Sequence, residues 1–147
     1  MNKAFRIVFL ITALYASISC FAQIGINTTT PLSTLDINGN LSVKVVNLSG
    51  NGTGGTGSSV LINDGVYISI TPAAQDDKFE LPNPTLFPGR MYVIRNINNT
   101  LTAQLITTTN LLFSKNTTIG SASVYMYENN NRTVTVYSDG LNWTYFN

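Results

Sequence analysis

The sequence predicts an all-β protein, and three features point there. Short runs of roughly four to eight residues alternate apolar and polar side chains with period two. Turn-forming clusters separate these runs about every ten residues: Pro88-Gly89, Asn98-Asn99, Asn129-Asn130-Asn131 and Asp139-Gly140. No window beyond the N-terminal stretch carries the 3.6-residue period of an amphipathic helix.

The N-terminus reads as a secretory signal over residues 1–22. Lys3 and Arg6 precede an apolar run from Ile7 to Ala16, and small residues ending in Ala22 follow. The run is too short, and too quickly followed by polar residues, for a membrane span. Cleavage is expected after Ala22, leaving Gln23 first in a secreted or surface-exposed chain. Acylation of Cys20, as in a lipoprotein, is the alternative. Ser17-Ile18-Ser19 lacks the Leu-like residue such processing wants three positions before the cysteine.

Three zones follow. Residues 23–46 form a short N-terminal β segment. Ser33 to Ile37 and Leu41 to Val46 read as extended runs around an Asn38-Gly39 turn, a strong hairpin signal. Residues 47–59, NLSGNGTGGTGSS, hold almost nothing apolar, which predicts a flexible Gly/Ser/Thr-rich linker. They lack the Lys-Ser/Thr ending of a phosphate-binding loop.

Residues 60–147 form a C-terminal domain of about eight strands, an antiparallel β-sandwich or a β-prism-like fold. Ile68 and Ile70 share one face, as do Phe79 and Leu81. Met91 to Ile94 is apolar on both faces, which marks a central strand. Ala103 goes with Leu105, and Val124 with Met126 against Tyr125 and Tyr127. Val134 and Val136 oppose Thr133, Thr135 and Tyr137; Trp143 and Tyr145 oppose Thr144 and Phe146.

Two segments resemble known sequences. Ile24 to Val43 is similar to the GIGT-x-x-P-x-x-x-L-D-V-x-G segment of Bacteroidetes secreted surface proteins and phage tail-fibre-like proteins. The match is carried by Gly25, Ile26, Pro31, Leu35, Asp36, Ile37, Gly39 and Asn40. FELPNP, GRMYVIRNI and YSDGLNW, within residues 79–143, resemble the small β head domains of such fibres, and Phe-Ala-Gln at 21–23 resembles signal ends in the same bacteria. The resemblance implies a fibre-like or trimeric adhesin-like protein at or outside the cell surface. The self-cleaving chaperone domain that often follows in these fibres is not expected here.

Composition narrows the chemistry. The chain has no His, and Cys20 lies in the expected signal. Most acid–base and nucleophilic catalysis wants a group that titrates near neutrality, a thiolate or a metal. The mature part carries six basic residues (Lys44, Lys78, Arg90, Arg95, Lys115, Arg132) and seven acidic ones (Asp36, Asp64, Asp76, Asp77, Glu80, Glu128, Asp139). That near-neutral balance offers nothing to nucleic acid, and no membrane insertion is expected once the signal is gone. Asp76, Asp77 and Glu80 form the one acidic cluster. They lack the Asp-x-Asp-x-Asp-Gly spacing of a calcium loop, and Lys78 sits among them. They read as solvated loop charge, and neither a metal nor a cofactor is called for.

Aromatic residues are the remaining candidates. Tyr67, Tyr92, Tyr125, Tyr127, Tyr137, Trp143, Tyr145 and Phe146 crowd toward the C-terminus. Sugar rings stack on such platforms, so Tyr125, Tyr127, Tyr137, Trp143 and Tyr145 are the candidate glycan-stacking or interface residues. Cross-strand packing and burial are the plainer expectation for the set, and Trp143 in particular reads as the anchor of the last strand. The expected function is non-enzymatic: a structural or adhesion protein that presents a β-scaffold and associates with itself, possible partners being a surface glycan or another surface protein. The alternatives are a secreted carbohydrate-binding module and, more remotely, a small hydrolase working through Asp76, Asp77 or Glu80.

Overall fold

The computed structural model describes residues 2–5, 24–27, 29, 30 and 34–147. Arg6, the apolar run from Ile7, Cys20 and the expected cleavage position lie outside the described residues. Among the described residues no helix is long and apolar enough to cross a membrane. The protein is all-β and divides into two units, Met1–Ser42 and Val43–Asn147.

In the first unit, β1 (Ile24–Ile26) and β2 (Leu35–Ile37) pair in parallel, with Ile24 opposite Leu35. Main-chain bonds close both ends: Ile24 N–H donates to Thr34 O at 2.9 Å, and Asn38 N–H to Ile26 O at 3.0 Å. The hairpin expected around Asn38-Gly39 does not form. An Asn-Gly pair permits a tight reversal without compelling one, and the next strand finds a better partner in the second unit.

The second unit holds ten strands: β3 (Val45–Ser49), β4 (Ser59–Leu61), β5 (Tyr67–Thr71), β6 (Asp77–Glu80), β7 (Met91–Asn96), β8 (Ala103–Ile106), β9 (Leu112–Ser114), β10 (Ser123–Met126), β11 (Thr133–Ser138) and β12 (Trp143–Phe146). They build a six-stranded sheet, β3-β5-β7-β11-β12-β9, and a four-stranded sheet, β10-β8-β6-β4. From β3 to β8 the chain alternates between the sheets. Strands β3, β5 and β7 lie parallel in one, and β4, β6 and β8 lie parallel in the other. This half is therefore a three-turn β-coil. The later strands finish it mostly with antiparallel pairs: β10 on β8, β11 on β7, and β12 on β11. The expected antiparallel domain is thus a mixed one. Period-two alternation reports that a strand is half-buried, not which way its neighbour runs.

The inward faces meet in one core. Ile68, Ile70, Tyr92, Ile94, Leu112, Val134, Val136 and Trp143 come from the six-stranded sheet; Phe79, Ala103, Leu105 and Met126 come from the four-stranded one. Strand β7 lies between β5 and β11, the interior position that its two apolar faces predict.

The segment 47–59 is no flexible linker, and the division of the chain falls before it. Residues 47–49 complete β3, and Gly54–Thr56 form a 3-10 turn. The order comes from Asp77, whose carboxylate is fully buried at the start of β6. It accepts main-chain N–H bonds from Gly52 (3.1 Å), Gly54 (2.7 Å), Ala73 (2.8 Å) and Ala74 (3.0 Å). Glycine is required around it. A Cβ on Gly50 would lie 2.2 Å from Asp77 Oδ2, and Gly54 adopts φ +65°. A polar, Gly-rich segment has no core of its own to order it, and here a buried anion from another strand supplies the order.

The coil's crossovers stack at this end. Residues 50–58 join β3 to β4, 72–76 join β5 to β6, and 97–102 join β7 to β8. Asp77 ties the first to the second. Asp76 N–H donates to Thr102 O at 2.9 Å, and Asn98 Nδ2 to Pro72 O at 3.0 Å, which tie the second to the third. Asn96, also fully buried, uses Nδ2 to reach Leu101 O and Met126 O, both at 2.9 Å, linking the two sheets.

Burial pushes the Asp77 carboxyl up, but the N–H groups of Gly54, Ala73, Ala74 and Gly52 together outweigh it and hold the group below its ordinary value. A carboxylate lowered in the folded state stabilises the fold above its unfolded pKa of about 3.9, and that contribution disappears as pH falls through the lower folded value. Asp77→Asn, which replaces the anion with a neutral amide, is expected to cost about 3 kcal/mol in urea unfolding at pH 7. It should also flatten the loss of stability below about pH 4.

Candidate functional site

The outward faces of the two sheets differ in chemistry. Along the four-stranded sheet, one row across the strands reads Ser59, Lys78, Gln104 and Tyr125, and the next reads Leu61, Glu80, Ile106 and Ser123. Along the six-stranded sheet, one row reads Val45, Tyr67, Val93, Thr135 and Phe146. The row beside it reads Met91, Tyr137, Thr144 and Phe113. Arg95 is the single charged residue at the outward strand positions of that sheet.

Strands β11 and β12 place the most exposed aromatics of this face side by side. Thr135 lies opposite Phe146, and Tyr137 opposite Thr144. The Tyr137 and Phe146 rings meet edge to face, centroids 5.6 Å apart at 90°, and remain 42% and 41% exposed. These four residues line a shallow, open groove of about 480 Å³. Two aromatic surfaces flanked by two hydroxyls, with no charge among them, offer flat apolar contact and neutral hydrogen bonding.

The five candidate aromatics fall in three places. Tyr137 is in the groove. Tyr125 projects from β10 on the other sheet and stacks on Tyr127, centroids 6.0 Å apart and 21° between planes, both exposed. Asn131 Nδ2 steadies that turn by donating to Tyr125 O at 2.8 Å. Trp143 and Tyr145 point inward. Trp143 is fully buried, packs against Tyr92 at 5.8 Å, and its indole N–H donates to Pro82 O at 3.1 Å. Tyr145 packs against the same core. Trp143 offers no ring face to a ligand and has the anchoring role its position suggests, while Tyr145 is partly buried. Thr135 and Thr144 are functional candidates that sequence reasoning passed over. Their faces were legible from strand alternation, but the register that brings them beside Tyr137 and Phe146 was not.

The acidic cluster does not converge. Asp77 points into the core, Glu80 outward, and Asp76 sits half-buried in the preceding turn at φ +62°. Glu80 is occupied by hydroxyls, accepting from Ser59 Oγ and, at 2.6 Å, from Thr108 Oγ1. Among the described residues no group of three His, Cys, Asp or Glu is arranged to hold a metal ion.

The turn before Trp143 is built by Asp139. Its Oδ1 accepts from Leu141 N–H (2.7 Å) and Asn142 N–H (2.6 Å). The bonds from Asn142 and Leu141 hold this carboxyl below its ordinary value. They aim the last strand so that Trp143 turns inward and Phe146 outward. No family model, no curated protein and no solved structure matches this chain.

Trp143→Ala is expected to cost about 3–5 kcal/mol in denaturant unfolding, since it empties a packed site and leaves Pro82 O without its donor. Tyr137→Ala, on the outward face of the neighbouring β11, is expected to change stability by no more than about 1 kcal/mol. The pair of measurements separates the anchor from the displayed residue.

Proposed function

We propose that the chain is a secreted, non-enzymatic structural or adhesion protein of tail-fibre-like organisation, which associates with itself through its β-scaffold. One observation carries the reading. The six-stranded sheet turns outward a near-uncharged face of Val45, Tyr67, Met91, Val93, Tyr137 and Phe146, while the other sheet intersperses Lys78, Glu80 and Gln104 among its outward Leu61, Ile106 and Tyr125. A contiguous apolar face is the ordinary mark of an interface.

The first unit supports the same conclusion. Among the described residues it holds two paired strands of three residues, too few to stand alone, and Ile24, Ile26 and Leu41 are exposed. Such a unit gains a core by meeting other copies, and the sequence resemblance implies three. The signal-like N-terminus supports secretion, and the absence of His supports a non-catalytic role.

A second reading, carbohydrate binding, is favoured by the groove itself. Tyr137 and Phe146 provide ring surfaces for sugar C–H groups, and Thr135 and Thr144 provide hydroxyls beside them.

The exported chain is expected to sediment as an oligomer at micromolar concentration, a trimer being the order the resemblance implies. Tyr137→Glu together with Phe146→Glu should shift it toward monomer with little change in thermal unfolding. A monomer from the unaltered chain would sink the self-association reading. A glycan-array signal abolished by Tyr137→Ala in a folded protein would establish the second.

A further inference from the structure

The chain contains two Asn-Gly pairs, Asn38-Gly39 and Asn51-Gly52, and the fold treats them in opposite ways. At Asn51-Gly52 every reacting group is held. Asn51 Nδ2 donates to Ser58 O and to Ser58 Oγ, each at 2.9 Å. Asn51 Oδ1 accepts from Thr53 N–H at 3.1 Å and from Thr53 Oγ1 at 2.6 Å. The Gly52 N–H is directed away, onto Asp77 Oδ2 at 3.1 Å. At Asn38-Gly39 both residues are exposed, and a Cβ on Gly39 would meet nothing within 4 Å. Neither the Asn38 side-chain amide nor the Gly39 N–H makes a hydrogen bond among the described residues.

We infer that Asn38-Gly39 is a site of spontaneous covalent modification, in which Asn38 converts through a cyclic imide to aspartate and isoaspartate, and that the Asp77 cradle protects Asn51-Gly52 from the same reaction. The Gly39 main-chain nitrogen gives up its proton and attacks Asn38 Cγ. A new N–C bond forms, the Cγ–Nδ2 bond breaks, and the amide leaves as ammonia carrying the proton. Water then adds to either imide carbonyl and opens the ring. Glycine favours the attack because no Cβ crowds the nitrogen or restricts the backbone angles that bring it to Cγ. No oxidant or cofactor is needed.

The position gives the reaction a consequence. Asn38 closes the β1–β2 pair: its N–H donates to Ile26 O, and its main-chain O accepts from Asn27 Nδ2 at 2.9 Å. In the isoaspartyl product the chain runs through the former side-chain carbon, one methylene longer. The oxygen that Asn27 binds becomes part of a free carboxylate. The clasp of the first unit gains a negative charge and loses its main-chain geometry.

The test is to incubate the purified full chain in mildly alkaline buffer and map the peptides over time by mass spectrometry, with isoaspartate separated chromatographically. The peptide holding Asn38 is expected to gain the mass of amide-to-acid conversion and to split into two isomers, while the peptide holding Asn51 keeps its amide. In urea the two peptides should convert at comparable rates. Gly39→Ala should slow conversion at Asn38 severalfold. Conversion of Asn51 as fast as Asn38 in the folded chain, no conversion at Asn38, or a rate difference that persists in urea would each overturn the inference.

Discussion

The second unit is organised around one buried anion. Removing a carboxylate from water is costly unless donors replace the lost hydration, and Asp77 recovers four of them from main-chain N–H groups on two different crossovers. The interaction works in both directions. The loop groups satisfy the anion, and the anion gives a polar loop, which has no side chains to bury, a single conformation. Gly50 belongs to the same device, because any side chain there would occupy the space that the Asp77 oxygens fill.

From that tie the coil follows. Crossovers held at fixed spacing set the register of β3 against β5 and of β4 against β6, so the alternating strands fall into two parallel stacks. The third crossover joins through Asn98 and Thr102, and Asn96 then fastens the two sheets to each other. Strands β11 and β12 close the structure on the far side of β7. They are anchored through Trp143 to Pro82 and through Ser138 Oγ to Pro84 O at 3.0 Å, so the last hairpin is fastened to the long crossover between β6 and β7. The outward aromatics are held in place by these inward anchors. Tyr137 and Phe146 face solvent because Val136 and Tyr145, their neighbours along the strands, face the core. Display and stability thus reside on opposite sides of the same two strands.

Much of this was legible beforehand, and the exceptions share a cause. Val134 and Val136 inward, Thr135 and Tyr137 outward, Phe79 with Leu81, and β7 in the sheet interior all follow from local alternation, because a strand's own pleat decides which side each residue takes. The hairpin at Asn38-Gly39 and the linker at 47–59 failed where local preference was permissive. Asn-Gly tolerates a reversal, and a Gly-rich run tolerates disorder, but neither enforces it. What overrode them was distant in sequence: β5 for the strand beginning at Val45, and Asp77 for the loop after it.

The sequence alone determined the class of the protein, the inward or outward side of most strands in the second unit, and the scarcity of catalytic groups, since all of these depend on residue types and on the geometry of one extended chain. Only the tertiary structure decided which strands are neighbours, that most of their pairs in the second unit run parallel, that Asp77 is a keystone rather than a surface charge, and that Thr135, Tyr137, Thr144 and Phe146 share a groove. Those outcomes depend on register between segments far apart along the chain, and a period of two contains no information about the partner across the ladder.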